Sequence, residues 1–268
     1  INVKTAPVDV EALNKKKSKN DPLPEVPGLY DHYIDWGIIK ETRKNGDWLK
    51  NLKVGIVYDS RESEANPMKG MWSEILFFGN PIEGLTDEPF TKISITHRQY
   101  FTLKPDRISV AVRLNYQSTI SGKAPFYIQP YMIGSYMNNS NTDGLGGAKT
   151  LRGVLRNRVV GDGFVMANFE GRWKFLHTQI FKQNIYVSFN SFWDMGRVTK
   201  KIEVDISSVP NDQYSMYFSP KKEQFHHTLG AGFRIVMNEN FVAAADYGIP
   251  LDSRDGKSGI YIGMNFLF

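Results

Sequence analysis

The side chains best suited to chemistry sit near the middle of the chain, where residues 146–153 read GGAKTLRG. Glycines followed by lysine and threonine suggest a phosphate-cradling loop. That loop needs a glycine directly before the lysine, a strand before it and a helix after it. Here Ala148 separates Gly147 from Lys149, and the text that follows alternates like a strand, so a phosphate site is rejected. Hydrolytic chemistry needs a nucleophile or an activated water beside a positioned histidine. The five histidines, His32, His97, His177, His226 and His227, form no pair with zinc-protease spacing, and no G-x-S-x-G element occurs. Asp252 to Gly256 has some acidic spacing, but a turn explains it better than a calcium loop. Cysteine is absent, which removes disulfides and thiolate metal sites. The residues therefore predict no enzyme, no cofactor and no metal.

What must position any site in this chain is a series of strands. Ile108, Val110, Val112, Leu114 and Tyr116 oppose Ser109, Ala111, Arg113, Asn115 and Gln117. The same two-residue period recurs from Leu52, around Ile93 and Ile95, and from Val165, where Asn168, Glu170, Arg172 and Lys174 form the polar row. It recurs again from Ile185, with Ser188, Asn190 and Asp194 polar, and from Leu229 and Phe241. Successive strand side chains point to opposite faces, so each segment has one apolar and one polar, often charged, face. No stretch shows convincing helical periodicity. Residues 1–50 read as irregular, with a short strand between Ile1 and Leu13, a lysine cluster (Lys15, Lys16, Lys17, Lys19) and a loop through Pro22, Pro24 and Pro27.

Mean hydropathy is negative and no apolar run reaches about 18 residues, which excludes a transmembrane helix. A barrel strand needs only about 9–11 residues, half of them facing a polar lumen. Aromatic content of 13%, from 17 Phe, 13 Tyr and 5 Trp, suits the girdles of such a barrel. The net charge of +5 comes from lysines where loops are expected, so no nucleic-acid partner is inferred.

The last ten residues, GIYIGMNFLF, place Ile260, Ile262, Met264, Phe266 and Phe268 on one side of an extended strand. Apolar residues at every second position before a final aromatic resemble the insertion signal of bacterial outer-membrane barrels. With Phe268 on the periplasmic side, 249–258, 197–225, 119–162 and 80–90 become outer links. The inner links are then 237–240, 176–184, 102–107 and 60–70. Long outer loops and short inner turns are the asymmetry of these barrels.

The order of motifs resembles the BamA/TamA superfamily of outer-membrane barrels, the bacterial surface-antigen family. Its long sixth outer loop carries an Arg-Gly motif preceded by an aliphatic residue, after a glycine pair. In this sequence those positions are Gly146, Gly147, Thr150, Leu151, Arg152 and Gly153. A lumen-facing glutamate follows as Glu170 in ANFEGRWKF, then an aspartate as Asp194 in FWDMG. Residues Tyr58 to Gly70, YDSRESEANPMKG, resemble the family's Asp-Arg, Asn-Pro, Gly turn. The resemblance spans residues 50 to 268. Val154 departs from it, since the family usually has Phe or Tyr there.

Strand parity gives these residues a physical role of its own. Glu170 and Asp194 lie on the polar faces of neighbouring strands, so both point inward. Two such carboxylates repel and lose solvation, whereas a guanidinium offers planar donors to both. The loop is therefore expected to fold back into the barrel and dock Arg152 on Glu170 and Asp194, with Gly153 permitting close backbone approach. Arg172 and Lys174 compete for the same acids.

The expected fold is an all-β antiparallel transmembrane barrel, residues 51–268 supplying about nine or ten strands, where the resemblance implies a wall of sixteen. The start at Ile1 and the strand count point to the C-terminal part of a larger protein, with a second chain supplying the other strands as the alternative. The resemblance implies a non-enzymatic role in assembly, insertion or translocation of proteins at the outer membrane of a Gram-negative bacterium. It implies as partners outer-membrane lipid, the barrel-assembly machinery through the C-terminal strand, and client outer-membrane proteins or accessory subunits. An unpaired strand edge is a template for another strand, which gives that role a physical basis. A porin-like channel for small solutes and a soluble β-rich binding protein are the competing classes.

Overall fold

A computed structural model of the chain describes residues 2–16, 21–82, 88–135, 142–218, 221–238 and 240–268. Ile1, Lys17 and Lys19 lie outside the described residues, as do parts of the links expected at 80–90, 119–162 and 237–240. The chain divides into two compact units, residues 1–50 with 203–222, and residues 51–202 with 223–268. Residues 203–222 belong with residues 1–50 in the first unit.

In the first unit the strand within the stretch from Ile1 to Leu13 is β1 (Asn2–Lys4), which pairs with β2 (Gly46–Trp48). Three short helices also occur, α1 (Val10–Asn14), α2 (Leu29–Asp35) and α3 (Asn211–Tyr217). At five to seven residues they are too short to display a 3.6-residue stripe. Local caps define α1 and α2 instead, while α3 follows Pro210 without a side-chain cap. The Asp9 carboxylate accepts from the Ala12 amide at 2.8 Å, and Asp31 accepts from the Gly28 amide at 2.8 Å. Trp36 anchors the unit, stacked on His32 and edge-on to Tyr217.

The second unit is a nine-stranded antiparallel sheet in sequence order. It comprises β3 (Leu52–Asp59), β4 (Gly70–Asn80), β5 (Phe90–Lys104), β6 (Ile108–Gly122), β7 (Gly163–Ile180), β8 (Gln183–Lys200), β9 (His226–Met237), β10 (Phe241–Pro250) and β11 (Gly259–Met264). Each strand pairs with the next, and among the described residues no ladder joins β3 to β11, so the wall is open. Each strand between the edges is laddered to both neighbours, with register shifts at Thr91/Lys92, Thr102/Lys104, Gly163/Phe164 and Lys174/Leu176. Pairing of backbone groups within the sheet is what crossing hydrocarbon requires.

Burial follows the predicted parity. Lys92, Ser94, Thr96 and Arg98 of β5 are buried, as are Arg113, Asn115 and Gln117 of β6. Opposite them Leu52, Val54, Ile56, Ile95, Leu114, Trp173, Phe233 and Ile235 are exposed. This inside-out pattern, polar rows covered and apolar rows bare, is the reverse of a soluble sandwich. On the bare face aromatic side chains pair across strands, Phe169 with Trp193 and Phe189 with Phe233 at 5.4 Å each.

Beyond β5 the links alternate short and long as expected, with shifted ends, but the first two, 60–69 and 81–89, are alike in length. Strands β7 and β8 run on to a two-residue turn, so the turn expected at 176–184 is only Phe181 and Lys182. Both have left-handed φ, 49° and 64°, as a tight hairpin requires. Strand β6 continues to Gly122, which shortens the long loop to 123–162. After Gly153 the chain stays irregular until β7, not the strand expected directly behind GGAKTLRG.

The C-terminus requires the largest correction. Ile260, Ile262 and Met264 are exposed on the outer row, but Phe266 and Phe268 are buried on the other side. Strand β11 ends at Met264, and Asn265, with φ of 73°, turns the chain inward. Asparagine tolerates that conformation better than most residues. Phe266 then packs with Tyr186, Val236 and Val242, and Phe268 packs with Tyr100 and Ala111.

Candidate functional site: an inward loop clamped to the wall

The loop between β6 and β7 folds against the inner wall and carries its own apolar base. Leu145, Leu151, Val154 and Val159 pack on Phe164, Met166 and Val198. Val154, where the resemblance leads one to expect an aromatic ring, is only 1% exposed, so a small branched side chain fills that place in this cluster. The glycine pair shapes the turn. Gly147 has φ of 88°, and a Cβ on Gly146 would lie 2.1 Å from the Leu155 carbonyl oxygen. Thr150 ties the turn by donating its hydroxyl to the Gly146 carbonyl at 2.9 Å and the Gly144 carbonyl at 3.2 Å.

This base delivers Arg152 to the wall, where its side chain is 1% exposed. Nε donates to Asp194 Oδ2 and Nη2 to Asp194 Oδ1, both at 2.9 Å, a bidentate pair. Nη1 donates to Glu170 Oε1 at 2.6 Å and to Asp246 Oδ2 at 3.3 Å. The Arg152 amide adds a bond to Asp194 Oδ2 at 3.1 Å. The guanidinium carbon lies 3.5 Å from the centre of the Phe192 ring, which covers one face of the guanidinium plane. Burial by itself would lower the proton affinity of Arg152, but Asp194, Glu170 and Asp246 outweigh it and raise its pKa above the ordinary arginine value.

The predicted docking of Arg152 on Glu170 and Asp194 is thus present. Sequence reasoning missed the third acid, Asp246 of β10, although parity placed it on the polar face. Asp246 is gripped in turn by Arg234, at 2.7 Å and 2.8 Å. Arg172 shares rather than competes: its Nε donates to the second oxygen of Glu170 at 3.0 Å. Three guanidiniums, of Arg152, Arg172 and Arg234, therefore face three carboxylates, of Glu170, Asp194 and Asp246, and the cluster is neutral overall. The Lys174 ammonium lies 3.2 Å from Met68 Sδ and 4.7 Å from the centre of the Tyr186 ring.

Two further contacts hold the loop from behind. Asn168 donates to the Thr150 carbonyl and accepts from Arg113 Nε, both at 2.8 Å, while Arg113 Nη2 donates to the Lys149 carbonyl at 2.8 Å. At the tip, the Gly153 amide donates to the Tyr261 hydroxyl at 2.8 Å. Chemically the arrangement is a clamp. The Arg152 donors are taken by carboxylates of three strands.

The early turn between β3 and β4 is ordered by the residues that carried the resemblance. Arg61 pairs with Asp59, its Nη2 donating to Oδ2 at 2.7 Å, and the Met68 amide donates to Glu62 at 3.0 Å. Gly70, with φ of 94°, closes it. The stretch weighed as a calcium loop is a 3₁₀ turn at Ser253–Asp255 instead, with Asp252 accepting from the Arg254 amide at 2.9 Å. The Arg254 hydrogen bonds hold the Asp252 carboxyl below its usual range. Among the described residues no acid and histidine group is arranged to hold a metal.

A nine-stranded antiparallel wall with bare apolar rows outside, buried charge inside and a loop clamped across its interior defines a barrel protein with an internal plug. The Omp85 superfamily domain matches residues 6–268, and the chain belongs to that superfamily. It is an outer-membrane family of Gram-negative bacteria, associated with protein insertion and translocation. No curated protein matches the chain.

Proposed function

We propose that this chain is the C-terminal part of a BamA/TamA-type barrel that inserts proteins into, or moves them across, the outer membrane of a Gram-negative bacterium, without enzymatic activity. The observation that carries this reading is the Arg152 clamp. One loop residue binds carboxylates from β7, β8 and β10 together, and a loop so held would occupy space that a solute channel needs for open water, which supports the reading. The exposed Ile, Leu and Phe rows suit contact with lipid acyl chains. The edge of β11, six residues long with its outer side chains bare, suits pairing with an incoming strand of a client or with the barrel-assembly machinery.

The test is reconstitution of the full-length protein in liposomes with an unfolded outer-membrane client. Faster appearance of protease-resistant, folded client than in empty liposomes supports the role. Single-channel recording of the same preparation addresses the competing class, since a plugged barrel conducts little and erratically. A steady, large conductance without client folding would sink the reading in favour of a solute channel.

A further inference from the structure

Three glycines stand in one row across the last three strands. Gly230 of β9 pairs with Gly248 of β10, and Gly248 pairs with Gly259 of β11. None has room for a side chain. A Cβ on Gly230 would lie 2.2 Å from Phe192 Cζ, one on Gly248 would lie 2.4 Å from the Arg152 carbonyl oxygen, and one on Gly259 would lie 2.5 Å from the Tyr261 hydroxyl. The row is a bare strip of inner wall with three occupants: the Phe192 ring, the backbone at Arg152 and Gly153, and the Tyr261 ring. The first carries the Arg152 guanidinium on its face, and the last accepts the Gly153 amide proton. Loop tip and closing strand are thus packed through one continuous stack.

Between Gly259 and Met264 the strand β11 itself has little else to hold it, the tail behind it being packed inward through Phe266 and Phe268. Its outer residues Ile260, Ile262 and Met264 are 64% to 85% exposed, and a Cβ on Gly263 would meet nothing within 4 Å. Apart from its ladder with β10, the Tyr261 contact with Gly153 is its one hydrogen bond to another element among the described residues. We infer that Tyr261 is a latch: it ties β11 to the docked loop, so that the strand is free to leave or exchange its partner only when the loop tip lets go. This regulation rests on the proposed role of β11 as an exchangeable edge. The glycine row is what makes it possible, because a side chain at Gly248 would exclude the loop and one at Gly259 would displace the tyrosine ring.

Hydrogen exchange on the full-length protein in lipid nanodiscs tests it, comparing parent, Tyr261→Phe, Arg152→Ala and the double variant. Loss of one neutral hydrogen bond should speed exchange of the Gly259–Met264 amides by about two- to tenfold in Tyr261→Phe, with the loop at 144–154 still protected. Arg152→Ala should speed both segments. In the double variant β11 should exchange no faster than in Arg152→Ala alone, because the latch is already broken. Should Arg152→Ala fail to assemble, Gly248→Ala replaces it as the undocking variant. Unchanged β11 exchange in Tyr261→Phe, or effects that multiply independently, would overturn the latch. Client insertion is scored in the same nanodiscs: its absence with the exchange pattern intact counts against the proposed function alone, and the converse counts against the latch alone.

Discussion

Gly153 and Gly248 meet backbone to backbone. A Cβ on Gly153 would lie 2.9 Å from the Gly248 carbonyl carbon, and one on Gly248 would lie 2.4 Å from the Arg152 carbonyl oxygen. Gly153 also has φ of 107°, a conformation that other residues rarely adopt. The contact is therefore closed to side chains from both partners. In Gly248→Ala the loop tip must shift away from β10, and the Arg152 bond to Asp246, at 3.3 Å the longest of the clamp, should weaken first. Trypsin reports the shift, because Arg156 is exposed at the nearby turn. Cleavage there should be faster in Gly248→Ala than in the parent. Gly263→Ala, which meets no neighbour, should leave the rate unchanged.

Removing Arg152 itself takes the guanidinium from Asp194 and leaves Glu170 and Asp246 to Arg172 and Arg234. Taking one partner from a buried ion pair costs about 3–5 kcal/mol, chiefly through the stranded charge. Arg152→Ala should accordingly lower the temperature at which the folded, fast-migrating gel band converts to the unfolded one, and Arg152→Glu should lower it further. Arg152→Lys should not rescue it, since one ammonium cannot bind both Asp194 oxygens and reach Glu170. An unaltered conversion temperature together with an unaltered trypsin pattern would remove the clamp from the account.

At the base of the loop, Asp162 makes stability depend on acid. Its Oδ2 lies 2.8 Å from Lys200 Nζ, and its backbone carbonyl accepts from Lys92 at 2.9 Å. Burial alone would raise the carboxyl, but Lys200, Thr119 and Lys92 outweigh it and hold it below the ordinary aspartate value. A lowered folded value stabilises the fold while the group is ionised. The contribution is complete above the unfolded value of about 3.9 and is lost as pH falls through the folded one. Exchange of the Thr119 amide, which donates to the Asp162 carbonyl, should stay slow between neutral pH and about pH 5, once normalised to intrinsic rates. It should quicken below about pH 4. Asp162→Asn should exchange faster at neutral pH and lose that acid step.

Much of this was legible in the residues. The wall follows from a two-residue period that repeats over whole strands, so that Glu170 and Asp194 are placed inward without any structure. Asp246 and Arg234 obey the same parity, and a diagonal match of acid and base on adjacent strands would have found them. The glycine row was not legible, because it depends on the register of β9, β10 and β11, which no single strand encodes. Nor were the short helices, of which α1 and α2 rest on caps such as Asp9 rather than on a hydrophobic stripe. Parity also fails after one left-handed residue, as it does behind Asn265.

That last failure gives the most direct test of where the chain turns. Extended to its end, β11 would place Phe266 and Phe268 in lipid beside Ile262. In the structure the Arg172 guanidinium lies 4.4 Å from the Phe266 ring centre, and its Nη2 donates to the Phe268 carbonyl at 2.9 Å. Arg113 covers Phe268 from another side at 5.0 Å. Cationic planes on aromatic faces are favoured when both are withdrawn from water, which compensates for leaving the lipid row. Tryptophan scanning with brominated lipids separates the two geometries, after subtraction of the signal of the five native tryptophans. Ile262→Trp should be strongly quenched, whereas Phe266→Trp and Phe268→Trp should be quenched little. Equal quenching at all three positions would return the tail to the outer row and remove the inward turn at Asn265.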